Sequence, residues 1–140
     1  MNKPFIFALL TAVVWGLAPA FEKMGLDGKI DPFIGVVIRT IPIALITFVA
    51  LFFMGRAHEI VRIDLKSALL VATGGILAGL VGQFLFYSAL KSGEASVVVP
   101  VAAVYPLIAL VVSIVFLGEA ITWQKAVGAT LVAGGVMLLR

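Results

Sequence analysis

The sequence contains no cysteine and a single histidine. Disulfides, cysteine-ligated zinc and iron–sulfur clusters are therefore excluded. Charge is scarce as well: Asp, Glu, Lys and Arg make up 12% of the 140 residues, half of the ~25% found in soluble domains. The net charge of +3 comes from scattered residues with no basic stripe, which argues against nucleic acid as a partner. There is no Gly-rich phosphate loop and no His-Glu zinc spacing, so no enzyme, metal or cofactor is implied. What is abundant is apolar: 63% of the chain is Ala, Val, Ile, Leu, Met, Phe, Trp or Tyr. A soluble fold of this size cannot bury that much apolar surface, because a small domain needs polar cover. The chain reads as a polytopic membrane protein.

The few charges mark the breaks between spans. A spanning helix needs about 20 mostly apolar residues to cross roughly 30 Å of hydrocarbon. Residues 4–21 carry no charge, and Glu22, Lys23, Asp27, Lys29 and Asp31 follow with Gly25 and Gly28. Pro32 opens a run to Gly55 interrupted only by Arg39, and proline suits a first helical turn. A polar loop with Arg56, His58, Glu59, Arg62, Asp64 and Lys66 comes next. Uncharged runs then cover 67–90, 95–118 and, after Glu119, most of 121–139. The expected fold is an all-α membrane protein of five transmembrane helices (4–21, 32–55, 67–90, 95–118 and 121–139) in one domain. A β-barrel would need alternating polarity in roughly 10-residue segments, and these runs are continuously apolar. Ala18-Pro19-Ala20 imitates a signal-peptide cleavage site, but the 18-residue run before Glu22 exceeds the ~7–15-residue core of a leader. It reads as a retained span.

Orientation is nearly undetermined by loop charge. Lys3, Arg56, Arg62, Lys66 and Lys125 fall on one side, and Lys23, Lys29, Lys91 and Arg140 on the other. The positive-inside rule then gives a slight preference for a cytoplasmic N-terminus. Insertion in both orientations is the competing reading.

Polar groups inside hydrocarbon are costly and mark interior or water-filled paths. Those expected within spans are Thr11, Arg39, Thr40, Thr47, Gln83, Tyr87, Ser88, Tyr105, Ser113 and Thr130, with no carboxylate mid-span. Arg39 is the main intramembrane charge. It either binds an anionic group of a solute or pairs internally, with Glu22 or Glu94 as partners. Proton coupling would fall to Glu22, Glu94 or Glu119, all near the interfaces, and is disfavoured. Pro100 and Pro106 each remove a backbone donor and clash with the carbonyl four residues back, at Ser96 and Ala102. They read as a hinge beside Tyr105. Trp15, Pro19 and Lys23 share one helix face, lining a cavity or packing on a neighbour. Gly75 and Gly79 form a GxxxG pair, read as packing within the chain. Gly128 and Gly135 lie on one stripe of the last helix, where a subunit interface and internal packing both remain open. His58 reads as a solvated loop residue.

Several of these stretches also resemble a known family. Trp15-Gly16 followed by Lys23 resembles the first-helix signature of EamA-type proteins in the drug/metabolite transporter superfamily, and Arg39 matches the arginine of their second helix. Phe86-Tyr87-Ser88-Ala89-Leu90, Ala95-Ser96, Pro106-Leu107 and Leu117-Gly118-Glu119 resemble the helix 3–4 block. Gly128, Gly134-Gly135-Val136 and Leu138-Leu139 resemble the closing helix. The resemblance covers nearly the whole chain. It implies one EamA repeat, where full-length members carry two repeats of opposite topology and move small metabolites such as amino acids, nucleosides or drugs by alternating access. Single-repeat relatives work as dimers. The helix-1 glutamate of the small multidrug-resistance proteins has no counterpart in the core of helix 1, so their proton antiport is not carried over.

The expectation is thus a half-size, multi-pass inner (plasma) membrane transporter acting as a homodimer in the lipid bilayer on a small-molecule substrate. Trp15, Arg39, Gln83, Tyr87 and Tyr105 are expected to bind substrate, Pro100 and Pro106 to hinge, and Gly128 and Gly135 to form the dimer interface. The alternative is a non-transporting scaffold or accessory subunit, or one half of a heteromeric transporter or lipid-carrier flippase.

Overall fold

A computed structural model describes residues 3–138. All regular structure among them is helical. In chain order the elements are α1 (Lys3–Leu26), α2 (Pro32–Phe53), α3 (Ala57–Ile60), α4 (Leu65–Ile76), a π-helical segment (Leu77–Gly82), α5 (Gln83–Ser92), α6 (Ala95–Ala102), α7 (Tyr105–Leu117) and α8 (Trp123–Met137). Four helical stretches are long and apolar enough to cross a membrane: Lys3–Leu26, Pro32–Phe53, Leu65–Ser92 and Ala95–Leu117. The expected fifth span is α8, which has 15 residues among those described, a rise of about 22 Å. Leu139, the end of the expected 121–139 span, lies outside the described residues.

Local sequence explains the boundaries. α1 runs five residues past the last uncharged position, so Glu22 and Lys23 are helical and not part of a loop. Gly28, at φ +70°, reverses the chain. Asp31 caps α2 by accepting the Phe33 N–H at 2.9 Å, and Pro32 occupies the first turn, where it displaces no hydrogen bond. Gly55 turns the chain out of α2 at φ +66°. Arg56 then donates to both oxygens of Glu59 at 2.8 Å, and this bond holds the Glu59 carboxyl below the usual carboxylate range. Asp64 caps α4 through the Ser67 N–H at 2.9 Å, and its hydrogen bonds with Ser67 lower its pKa likewise. His58 is exposed and contacts the Gly55 carbonyl through Nδ1 at 3.0 Å.

The third span is not a uniform helix. Its central six residues, Leu77–Gly82, are π-helical. A methyl on Gly82 would stand 3.0 Å from the Leu77 carbonyl oxygen, so the bare glycine suits the widened turn. The fourth span is broken at Ala103 and Val104, between α6 and α7. α6 ends at Ala102, the carbonyl that Pro106 has no N–H to meet, as the proline spacing predicts.

The chain divides into two units, 1–92 and 93–140. In the first, α5 packs on α1 and α2, and the π segment also touches α2. Its small core is Leu26, Val36, Tyr87 and Leu90, with Pro19 and Gly35 also buried. In the second, α7 packs on α8. Gly118 ends α7 at φ +66°, Thr122 caps α8 through the Lys125 N–H, and Lys125 pairs with Glu119 at 3.3 Å. At most 6% of the apolar stretch of any span is buried, which suits surfaces facing lipid or a further chain.

Among the described residues of the first unit, a methyl at Gly75 or Gly79 would meet nothing within 4 Å, so the packing expected of this pair is not made within that unit. The glycine that packs closely there is Gly35, which sits against Tyr87 and Leu26. A GxxxG spacing records where a close approach is permitted, and does not by itself supply the neighbour.

Candidate functional site

Polar chemistry in the first unit converges on one carboxylate. Glu22 lies in the second-last turn of α1, and its Oε1 is the common acceptor. Tyr87 Oη donates to it at 2.9 Å and Gln83 Nε2 at 3.3 Å. Arg39 Nε stands 3.6 Å away as an ion pair. The spacing of the donors follows from the helices that carry them. Gln83 and Tyr87 are four apart on α5, hence on one face, and the π segment ends immediately before Gln83. Arg39 is seven residues past Pro32, about 10 Å into α2. Glu22, four residues short of the end of α1, is about 6 Å in from that end.

Three features hold this cluster in place. The Tyr87 ring is 4% exposed and wedged against Gly35, where an added methyl would lie 2.9 Å from Tyr87 Cδ2. Leu90, one turn on, is fully buried. Its carbonyl accepts a short hydrogen bond from Lys23 Nζ, tying the end of α1 to α5. The Glu22 side chain is 16% exposed and that of Arg39 37%, so the pair is half sheltered and open on the arginine side.

Of the residues expected to bind substrate, the structure brings Arg39, Gln83 and Tyr87 together. Trp15 is on α1 but 62% exposed, away from the buried end of the stripe that it shares with Pro19 and Lys23. Tyr105 belongs to the second unit and is 56% exposed. Internal pairing of Arg39 with Glu22, one of the two partners considered, is what the structure contains. Glu22 itself was not among the expected site residues. Placing it in a loop hid its position three residues past Pro19, on the α1 face that packs on α5.

Most other intramembrane hydroxyls are satisfied on their own helix. Thr11, Thr40, Thr47, Ser88 and Thr130 each donate to the carbonyl four residues back, at 2.7–3.0 Å. That local bond removes the cost of burying the hydroxyl in hydrocarbon, and leaves these residues without need of a solute. A concavity of about 380 Å³ lies at the other end of α2, away from this cluster, lined by Thr47, Ala50, Leu51 and Met54 with Ile60 of α3 and the Arg56–Glu59 pair. It is open.

Residues 2–140 match the EamA-like transporter family. The chain is 31% identical over 139 residues to an uncharacterized protein, MJ1333.1, of Methanocaldococcus jannaschii, covering 99% of this chain and 97% of that protein. It is 26% identical over 133 residues to an uncharacterized transporter in the cobO 3′ region of a Sinorhizobium species, covering 95% and 93% of the two. No solved structure matches the chain significantly.

Proposed function

The chain belongs to the EamA-like transporter family, a multi-pass membrane protein class, and from that premise we propose that it is a half-size transporter of small metabolites. Two copies form the working unit and alternate the access of a shared solute site in the inner membrane. α8 forms the fifth span, the bilayer adjusting to its short helix. Gly128 and Gly135 permit close approach between subunits, and α6 and α7 pivot about Pro100 and Pro106. Trp15, Arg39, Gln83, Tyr87 and Tyr105 line the path, with Glu22 among them.

The carrying observation is the Glu22–Arg39–Gln83–Tyr87 cluster. An ion pair with two further hydrogen-bonding groups, inside a chain otherwise this apolar, is the kind of costly intramembrane polar cluster that marks a solute or ion path. Two lesser observations support the assembly. Among the described residues of the second unit, a methyl on Gly128 or Gly135 would meet nothing within 4 Å, which suits a close approach by a second copy. The two relatives are matched over 97% and 93% of their lengths, so the one-repeat length recurs.

The test is flux in proteoliposomes of the purified protein with an amino-acid, nucleoside and organic-cation panel, together with its native mass in detergent. Saturable uptake of one class by a two-chain species is expected. A second protein co-purifying in fixed ratio, with no flux from this chain alone, overturns the homodimeric transporter in favour of an accessory or heteromeric role.

A further inference from the structure

The end of the first unit that carries the α2–α4 loop has no protein core. Among the described residues, none from 37 to 86 is buried, whereas Leu26, Val36, Tyr87 and Leu90 close the opposite end. What the loop end has is the concavity of about 380 Å³. One wall is Thr47, Ala50, Leu51 and Met54, from the end of α2 and the residue that follows it. Thr47 lies six residues before Phe53, about 9 Å inside the end of the span. Ile60 and Ile63 form the facing wall, with Arg56 and Glu59 on the loop side. The concavity is thus apolar at hydrocarbon depth and ionic at headgroup depth.

The charge of the loop is unevenly matched. Arg56 gives Nε and Nη2 to the two oxygens of Glu59, and among the described residues no hydrogen bond occupies its Nη1. Asp64 is turned to the Ser67 N–H. Arg62 and Lys66 are exposed, and among the described residues their side chains have no ion-pair partner. Residues 56–66 carry a net charge of +1 with His58 neutral.

These features choose between occupants. A water-soluble peptide would carry its backbone polar groups into hydrocarbon, which is costly. A second copy meeting this face symmetrically would bring the same positive loop against itself. A phospholipid with a net negative headgroup lays an acyl chain on the apolar walls and its anion beside the surplus charge. The volume is at the low end for ligand pockets, so it takes part of one chain, with the rest of the lipid in the bilayer.

We propose that this concavity is a binding site for an anionic phospholipid. One acyl chain lies along Ala50, Leu51, Ile60 and Ile63, and the phosphate is held by Arg56 Nη1 and Arg62, with Lys66 adding to the field. The bound lipid supplies apolar contacts that the loop end lacks. The site is separate from the Glu22–Arg39 cluster and stands whether or not the chain transports.

The experiment titrates the purified, delipidated protein with phosphatidylglycerol or phosphatidylethanolamine of identical chains, counting bound lipid by native mass spectrometry and following thermal stability. Phosphatidylglycerol is expected to bind about fivefold or more tighter, the gain expected of one basic residue beside an anionic headgroup, and to raise the unfolding temperature more. The exposed double variant Arg62→Gln/Lys66→Gln takes the loop to −1 and should abolish the preference. Ala50→Trp fills the apolar part without touching a charge and should weaken binding of phosphatidylglycerol at an unchanged elution profile. Glycerophosphoglycerol, the headgroup without chains, should not compete. Equal binding of the two lipids, or a preference unmoved by the double variant, overturns the proposal. Competition by the chainless headgroup overturns it in favour of a phosphate site, and full binding by Ala50→Trp in favour of diffuse surface charge.

Discussion

Replacing Gly35 with alanine adds one methyl at the most tightly packed point of the first unit. That carbon would lie 2.9 Å from Tyr87 Cδ2, 3.0 Å from Leu26 Cδ2 and 3.1 Å from Tyr87 Cε2. The Leu26 methyl sits at the end of a flexible side chain and can turn away. Tyr87 cannot do so at no cost, because its ring is 4% exposed and its hydroxyl is fixed on Glu22 at 2.9 Å. Two effects oppose each other. Alanine in place of a helical glycine gains roughly 0.8–1 kcal/mol of helix propensity. Overpacking a filled site costs about 1–3 kcal/mol, and any lengthening of the Tyr87–Glu22 bond adds to that. Packing therefore wins, with Gly35→Ala destabilising by about 1 kcal/mol net. Gly75→Ala is the control: it is helical too, but its methyl meets nothing within 4 Å, so propensity acts alone and stability holds or rises. Reversible unfolding of both variants in mixed micelles, followed by tryptophan fluorescence, measures the difference. If Gly35→Ala is as stable as Gly75→Ala, the wedge of Tyr87 against α2 is not the contact that holds the cluster.

Tyr87→Phe removes one charge-assisted hydrogen bond to Glu22 and should cost about 1.5–3 kcal/mol in the same assay, with binding of solute weakened beyond the loss in stability. Pro106→Ala returns an N–H opposite the Ala102 carbonyl, so amide exchange at Ala103 to Leu107 should slow as α6 and α7 merge, and flux should fall if the break is a hinge. Acid should loosen the loop between α2 and α4 before the spans. The lowered pKa values of Glu59 and Asp64 mean that their contribution is complete above the ordinary carboxylate range and is lost as pH falls through the lowered folded values. Hydrogen exchange of residues 56–67 between neutral pH and pH about 3 should show protection falling, and the Asp64→Asn and Glu59→Gln variants should flatten that dependence.

How far the sequence reached depended on which force set each feature. Span positions follow from hydrophobicity, and charged interruptions located the starts at Pro32 and Ala95, while the break ahead of Tyr105 followed from Pro106 and its missing N–H opposite the Ala102 carbonyl. The same rule misled at Glu22 and Lys23. A charge predicts the end of a helix, whereas tertiary partners, Tyr87 for Glu22 and the Leu90 carbonyl for Lys23, let α1 continue to Leu26. Asp64 likewise starts the third span two residues before the uncharged run, as a cap with Lys66 inside the helix. The π segment left no readable mark, since Leu-Ala-Gly-Leu-Val-Gly suits an α-helix equally well. Arg39, Gln83 and Tyr87 were legible because polar groups in apolar runs are conspicuous. The carboxylate that gathers them was not, because its depth depends on where α1 ends.

The central claim is that the Glu22–Arg39 cluster is where a membrane transporter meets its solute. Flux of the best-moved solute into proteoliposomes carrying the unmodified protein or Arg39→Ala, at matched protein content and matched elution profile, tests it most directly. Saturable flux with the unmodified chain and background flux with the variant is the predicted result. Equal flux through both would contradict it.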